Sequence, residues 1–292
     1  MRINLQAAVL AALTLTACST VSGQALYSTG FEAPAFVPGA LEGQNDWASD
    51  PTTLAGATVQ TAVVQKGSQA AMITASALFP GTTWFFVPLN YTADEVIAPL
   101  VDISWDMLLT PATSKSGGWG MEIFDPTYTA RFGFAFVSRL DDHLYVLDLI
   151  NQSFSHDTGI VVTRGAWFNL KARLDFASKT TQFYFNGAEA GPLLGWDDLS
   201  FPPTNTIADA DIRCTTPGND SAYVDNYLIT TPTPPCPADV NGDLVVNTLD
   251  LGAVLNNFGA SVTTGTSGDL NNDGVVNTLD LGIVLSHFGS SC

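Results

Sequence analysis

Trp167-Phe-Asn-Leu-Lys-Ala-Arg-Leu-Asp175, followed by Gln182-Phe-Tyr-Phe-Asn186-Gly187, decides the fold of the larger part of the chain. Phe168, Leu170, Ala172, Leu174 and Phe176 fall on one face, and Asn169, Lys171, Arg173 and Asp175 on the other. A strict period of two is the mark of a half-buried strand. Phe183 and Phe185 repeat the alternation against Gln182, Tyr184 and Asn186, so this second run is read as the partner strand. Ala177-Ser178-Lys179 is the hairpin turn between them, and Asn186-Gly187 is a dipeptide suited to the next tight turn.

Working outward, short apolar runs alternate with turns from residue 26 to about 229. They predict strands at Thr58–Gln65, Ala70–Ala75, Thr83–Leu89, Leu100–Leu109, Gly118–Phe124, Tyr128–Val137, His143–Leu149, Trp167–Phe176, Thr181–Asn186, Thr206–Cys214 and Ser221–Ile229. No stretch reads as a long amphipathic helix. So many short strands in one stretch mean a mainly β, two-sheet jelly-roll sandwich, long enough to bury a full core. Trp105 alternates in step with Val101, Ile103 and Met107 and belongs to that core. Trp119, among glycines, and Trp196, before Asp197-Asp198, are expected as exposed rings that stack on a sugar.

The hairpin is similar to the central hairpin of concanavalin A-like (laminin-G-type) lectin/glucanase domains. Ser221-Ala-Tyr-Val-Asp-Asn-Tyr-Leu-Ile229 and Ser28-Thr-Gly-Phe-Glu32 fit the same group as closing and opening strands. Members bind glycans, cleave them or hold surfaces together, so the fold does not settle function. In many such jelly rolls the first and last strands share a calcium ion. Glu32 and Asp225 are therefore either its ligands or two solvated edge carboxylates.

A glycosidase needs two carboxyl groups facing each other across its substrate. Glucanases of this fold place two Glu around an Asp at alternate positions of one strand, and no such triplet is present. Glu122 and Asp125, three apart, point to opposite faces of a strand. Asp102, Ser104 and Asp106 share a face but lack a central carboxylate, and read as a solvated strand surface. His143 and His156 are isolated. No catalytic residue is assigned.

The end of the chain has a different grammar. Asp239-Val-Asn241-Gly-Asp243-Leu-Val245-Val-Asn247-Thr-Leu-Asp250 recurs as Asp269-Leu-Asn271-Asn-Asp273-Gly-Val275-Val-Asn277-Thr-Leu-Asp280. Oxygen side chains fall at loop positions 1, 3, 5, 9 and 12, and Val245 and Val275 add a backbone carbonyl at position 7. A calcium ion takes about six to eight oxygens, which a loop of this spacing wraps around one point. Leu251, Val254, Leu255 and Phe258 then form one apolar helix face, repeated by Leu281, Val284, Leu285 and Phe288. Pro234, Pro235 and Pro237 oppose a helix before the first loop.

A loop plus one helix, duplicated, resembles the dockerin type I family over about Cys236 to Cys292. The resemblance implies a calcium-dependent module that docks onto a cohesin domain. It places partner selection at Thr248-Leu249 and Thr278-Leu279. Position 6 is Gly274 in the second loop but Leu244 in the first, and a left-handed residue there costs a β-carbon about 1–2 kcal/mol. The first site is expected to be the weaker. Cys236 and Cys292 bracket the module, and a bridge between them would contribute about 3–5 kcal/mol in the chain-entropy model. Cys214 is then left as a buried free thiol in a strand.

Residues 1–25, with Arg2 ahead of a short apolar run, read as a secretory signal too short to span a membrane. Leu15-Thr-Ala-Cys18 also resembles a bacterial lipobox that would lipidate Cys18, and cleavage near Gly23-Gln24-Ala25 is the competing reading. The net charge of −18, with Lys plus Arg numbering 10, speaks against nucleic acid and anionic membranes. The expected organisation is a signal peptide at 1–25, a sandwich at 26–229, a stiff Pro/Thr linker at 230–235 and the calcium module at 236–292. It describes a secreted or cell-surface protein, holding polysaccharide through the sandwich and a cohesin-type scaffold through the tail. A polysaccharide hydrolase or lyase with an unrecognised site, and a structural cell-surface protein, are the alternatives.

Overall fold

The structure, a computed structural model, describes residues 24–50, 55–78, 80–95, 99–128, 131–148, 153–196, 203–232, 238–241, 243, 245–263, 266–271 and 273–290. The expectations for the signal segment, Cys18, Cys236, Cys292, Leu244 and linker residues 233–235 lie outside these residues. The chain divides into two compact units, Gly23–Pro234 and Pro235–Cys292.

The first unit is a β-sandwich. In chain order its strands are β1 (Gln24–Thr29), β2 (Gly39–Ala40), β3 (Ala48–Asp50), β4 (Ala55–Gln60), β5 (Ala70–Ala75), β6 (Gly81–Phe86), β7 (Tyr91–Thr92), β8 (Leu100–Leu109) and β9 (Gly118–Phe124). There follow β10 (Arg131–Ser138), β11 (His143–Asp148), β12 (Ser153–Val161), β13 (Trp167–Asp175), β14 (Thr180–Phe185), β15 (Ala188–Gly195), β16 (Thr206–Ile207), β17 (Asp209–Thr216) and β18 (Ser221–Thr231). One antiparallel sheet runs β15-β14-β13-β8-β18-β5-β4-β2, with β1 also paired to β18. The facing sheet runs β12-β11-β10-β9-β17-β6-β3, and β16-β7 form a small ribbon.

The deciding hairpin is β13–β14, with Arg173 opposite Gln182 and Asp175 opposite Thr180. Asp175 Oδ1 accepts from the backbone N–H of Ala177 and Ser178 and shapes its turn. Asn186 and Gly187 both take positive φ, +49° and +83°, as a two-residue turn into β15 requires. Asp102 and Asp106 are structural ties on β8. Asp102 holds Arg173 of β13, and Asp106 accepts from Asn169 and from Asn226 of β18.

Some boundaries differ from expectation. The run predicted from Tyr128 to Val137 begins with a turn, Tyr128 taking φ +56° and donating its N–H to Asp125 O, and the strand starts at Arg131. Thr230 and Thr231, read as linker, extend β18 and pair with Ala25 and Gln24. Two threonines running into a Pro/Thr segment carry no apolar alternation to mark them as strand.

Aromatic rings fill the space between the sheets. Trp105 stacks on Tyr227 at 5.2 Å and 6°, and the Tyr227 hydroxyl donates to Ala210 O on the opposite sheet at 2.6 Å. Cys214 is a buried free thiol on β17.

The second unit holds α1 (Thr248–Asn256) and α2 (Thr278–Ser286), each starting from an Asn cap in a capping box closed by Asp250 or Asp280. Its core is small: Ala238, Val246, Val254, Val276 and Val284. Val246 exchanges backbone hydrogen bonds with Gly289 and Ser290, and Val276 with Gly259 and Ala260. Each loop is thus zipped to the segment that follows the other helix, so the two repeats fold as one body. The helix stripe is less buried than its spacing implied. Of its members only Val254 and Val284 are fully buried, while Leu255, Phe258, Leu285 and Phe288 are about half exposed. The valines at loop position 8 occupy the core that the outer stripe residues were expected to fill.

Candidate functional sites

In the second unit the first loop brings one oxygen from each of Asp239, Asp243 and Asp250 within 4.8 Å of one another. In both loops the position-12 carboxylate ties the ends together. Asp250 Oδ1 accepts from Val240 and Asn241 N–H and its Oδ2 from Asn247, and Asp280 does the same with Leu270, Asn271 and Asn277. Burial pushes both carboxyl pKa values up, but these N–H donors outweigh it and the net shift is downward. Asp273 N–H reaches Asp269 and Asn271, as Asp243 N–H reaches Asp239 and Asn241. Gly274 sits at φ +83° and donates to Asp269 Oδ2. Carboxylate oxygens converging within 4.8 Å fit a hard divalent cation. Such an ion would be held by Asp239, Asn241, Asp243, the Val245 carbonyl, Asn247 and Asp250, and by the matching set Asp269, Asn271, Asp273, Val275, Asn277 and Asp280. Thr248, Leu249, Thr278 and Leu279 are exposed, the two leucines by 63% and 62%.

In the sandwich, Glu32 and Asp225 meet around the segment 65–69. Glu32 accepts from Ser68 N–H and Oγ and from Gln69 N–H; Asp225 Oδ2 accepts from Gln65 and Lys66 N–H. A bulge in β18 between Asp225 and Leu228 turns the carboxylate toward this segment. Backbone donors already serve both groups.

Trp119 and Trp196 are not the exposed rings expected of them. Both are core residues, 0% and 3% accessible. Trp119 faces inward from β9 and donates Nε1 to buried Asp220, and Trp196 packs edge-on against Phe132 and Phe176. Their flanking Gly and Asp residues suggested loops, but the pleat of β9 points the Trp119 indole into the sandwich, and Trp196, just after β15, packs into the same core.

The outer face of the second sheet carries a different cluster. Across neighbouring strands Asp50 lies opposite Trp84, Trp84 opposite Arg213, and Arg213 opposite Gly120. One row along, Asp211 lies opposite Glu122 and Glu122 opposite Phe134; in the next, Asp209 opposite Phe124 and Phe124 opposite Arg131. These rows floor a cleft of roughly 340 Å³ lined by Asp50, Trp84, Phe86, Phe124, Tyr128, Arg131 and Asp211.

Beneath the lining, buried Glu122 gathers the cations. It pairs with Arg131 Nε at 2.5 Å and Arg213 Nε at 3.2 Å, and accepts from Trp84 Nε1 at 2.7 Å. The Arg213 guanidinium lies over Phe134 at 4.7 Å. Asp209 and Asp211 are two apart on β17 and share this face. Both are buried, and Asp211 Oδ1 has no hydrogen-bond partner. Burial, then the charge of Asp209, pushes the Asp211 carboxyl well above the ordinary 3.8, and burial also raises Asp209. Two facing carboxylates are both acceptors, so the pair is stable only when it holds a proton. The Tyr128 hydroxyl, beside Asp209, is pushed up to about 12 by burial and that neighbour. Chemically, the cleft offers flat aromatic surface, hydrogen-bonding acids and a carboxyl proton. The signal for it was the alternation Asp209-Ala-Asp211-Ile-Arg213 in a predicted strand; its partners come from four other strands.

The geometry defines a class: an antiparallel two-sheet jelly-roll sandwich followed by a duplicated acidic-loop and helix unit. That unit is a dockerin type I domain, matched over residues 237–289. In structure, the chain is similar to a conserved carbohydrate esterase from the Shiga toxin-encoding bacteriophage phi24B, at 12% identity and TM-score 0.53, covering 73% of this chain and 100% of that one. It is also similar to an endo-beta-1,4-glucuronan lyase from the fungus Trichoderma reesei, at 12% identity and TM-score 0.45, covering 71% and 96%. At 12% identity the likeness to the esterase concerns the fold alone. No curated protein matches the chain in sequence. Among the described residues no helix is long and apolar enough to cross a membrane.

Proposed function

We propose that this is a secreted, carbohydrate-associated protein whose sandwich binds polysaccharide and whose tail, folded around two calcium ions, attaches it to a cohesin-type scaffold or surface. The observation that carries the reading is the pairing, on one chain, of a dockerin type I domain with an aromatic-walled, acid-lined cleft on a jelly-roll sandwich. Trp84, Phe86 and Tyr128 supply rings for sugar faces, and Asp50, Arg131 and Asp211 supply groups for hydroxyls. In the tail, exposed Thr248-Leu249 and Thr278-Leu279 form two near-identical docking faces. The second loop, with glycine at position 6, binds its ion more tightly than the first. Cys236 is bonded to Cys292, and the leader ends before the sandwich. Glu32, half-buried, and Asp225, fully buried, serve as structural acceptors for their backbone donors.

Affinity electrophoresis of the full chain in gels containing cellulose derivatives, xylan, mixed-linkage β-glucan or mannan tests the sandwich. Retardation by at least one polysaccharide, weakened by Trp84→Ala, is expected. Capture by an immobilised type I cohesin in calcium, and release by chelator, tests the tail. A chain that migrates unretarded in every gel would remove the glycan reading and leave the docking reading.

A further inference from the structure

Asp211 is the unusual group of the cleft. It is 97% withdrawn from solvent yet lines the cavity, and one of its oxygens has no partner. A buried carboxyl oxygen left without a donor is costly unless something else uses it. Its surroundings are Asp209 on its own strand, Glu122 and Phe124 on β9, Arg131 at the start of β10, Tyr128 in the preceding turn, Trp84 and Phe86 on β6 and Asp50 on β3. The nearest cations do not serve it: Arg131 and Arg213 both pair with Glu122. Among the described lining residues, the other carboxylate is Asp50.

Asp50 stands two strands from Asp211, with β6 between. Neighbouring strands lie about 4.8 Å apart, and Asp211 is two residues, about 7 Å, along β17 from Arg213, which shares the row of Asp50, so the two backbones are separated by about 12 Å. From that span two carboxyl groups reach the roughly 6.5–9.5 Å separation that leaves room for a sugar and a water between them. The aromatic ring of Trp84, opposite Asp50, is a surface on which that sugar can lie.

We propose that the cleft hydrolyses a glycosidic bond of a neutral polysaccharide, with Asp211 as the proton donor and Asp50 as the base. This rests on the reading of the cleft as the glycan site. Asp50 takes a proton from water as the water oxygen bonds to the anomeric carbon. The bond from that carbon to the bridging oxygen breaks, and Asp211 delivers its proton to that oxygen. Water is the only co-reactant, and the products are two shorter sugar chains with the configuration inverted. Burial and Asp209 keep the proton on Asp211 as pH rises, which suits a donor. The substrate is neutral because a uronate would meet Asp50 and Asp211 while both arginines are engaged with Glu122.

The full chain is incubated in calcium with xylan, cellulose, mixed-linkage β-glucan, mannan and, for comparison, polygalacturonate, and reducing ends are measured. Release from a neutral polymer is expected, falling about 10²- to 10⁴-fold in Asp211→Asn and in Asp50→Ala. A dinitrophenyl glycoside of the released sugar separates the roles, because its leaving group needs no proton. Asp211→Asn should turn it over at near wild-type rate, and Asp50→Ala should not. Near-UV dichroism confirms that each variant is folded. Retardation in the gels without release from any polymer overturns hydrolysis and leaves glycan binding standing. Neither retardation nor release overturns both. Equal losses on both substrates in Asp211→Asn overturn its role as donor, and release from polygalacturonate alone overturns the substrate class.

Discussion

Arg139 Nε donates to Asp220 Oδ1 at 2.8 Å, with both side chains fully withdrawn from solvent. Asp220 also accepts from Trp119 Nε1 and Arg164 Nη1, so one carboxylate holds two guanidinium groups and an indole where β9, β10 and β18 come together. Removing it strands buried charge. Asp220→Ala should destabilise the sandwich by about 3–5 kcal/mol, read as a shift of the urea midpoint. A change under about 1 kcal/mol would mean that water replaces the carboxylate at no cost.

The tail should depend on calcium rather than on its core. Its buried cluster is one alanine and four valines, too little for a unit of this length. In excess chelator, limited proteolysis of the full chain should degrade residues 236–292 and spare the sandwich. Survival of the tail would show that the acidic loops are not its structural centre.

Glycine at position 6 should tune the second site. Gly274 holds φ +83°, a region costing a β-carbon residue about 1–2 kcal/mol. Gly274→Leu should weaken one of the two calcium sites about tenfold in calorimetric titration and make the pair nearly equal. An unchanged isotherm would remove the ranking.

The Asp209–Asp211 pair should make the sandwich more stable on mild acidification. Their folded pKa values lie above the ordinary 3.8, so between that value and the raised ones the native state holds more protons than the unfolded chain. Stability from this pair therefore falls as pH rises. Glu32 and Asp141 are shifted the other way and favour the native state above the ordinary carboxylate range. The comparison must accordingly be between variants. Asp211→Asn should raise the melting temperature at pH 7 by a few degrees, about 2–4 °C per kcal/mol for a domain of this size, and by less at pH 5. The same gain at both pH values would place the effect outside this titration.

Cys214 should be inert in the folded protein. It is fully buried, and burial pushes its thiol up to about 12. Labelling of the native chain by a thiol reagent should be unchanged by Cys214→Ser, and only urea should reveal the difference.

The sequence by itself determined the elements that rest on local chemistry. The period of two in 167–185 fixes a hairpin because alternate residues of a strand must face opposite sides. The acidic loops are legible because ligand spacing, capping asparagines and the closing aspartate lie within one short segment. Tertiary structure decided what depends on register between distant strands. Asp50, Trp84, Glu122, Arg131 and Asp211 belong to β3, β6, β9, β10 and β17, and only the pairing of those strands sets them on one face. The same pairing buried Trp119 and Trp196, whose neighbours in sequence had suggested exposure. In the tail, the zipping of each loop to the other repeat gave the core to Val246 and Val276 and left Phe258 and Phe288 half exposed. A strand's side-chain period is local, but the partner it meets across the sheet is set by the whole chain.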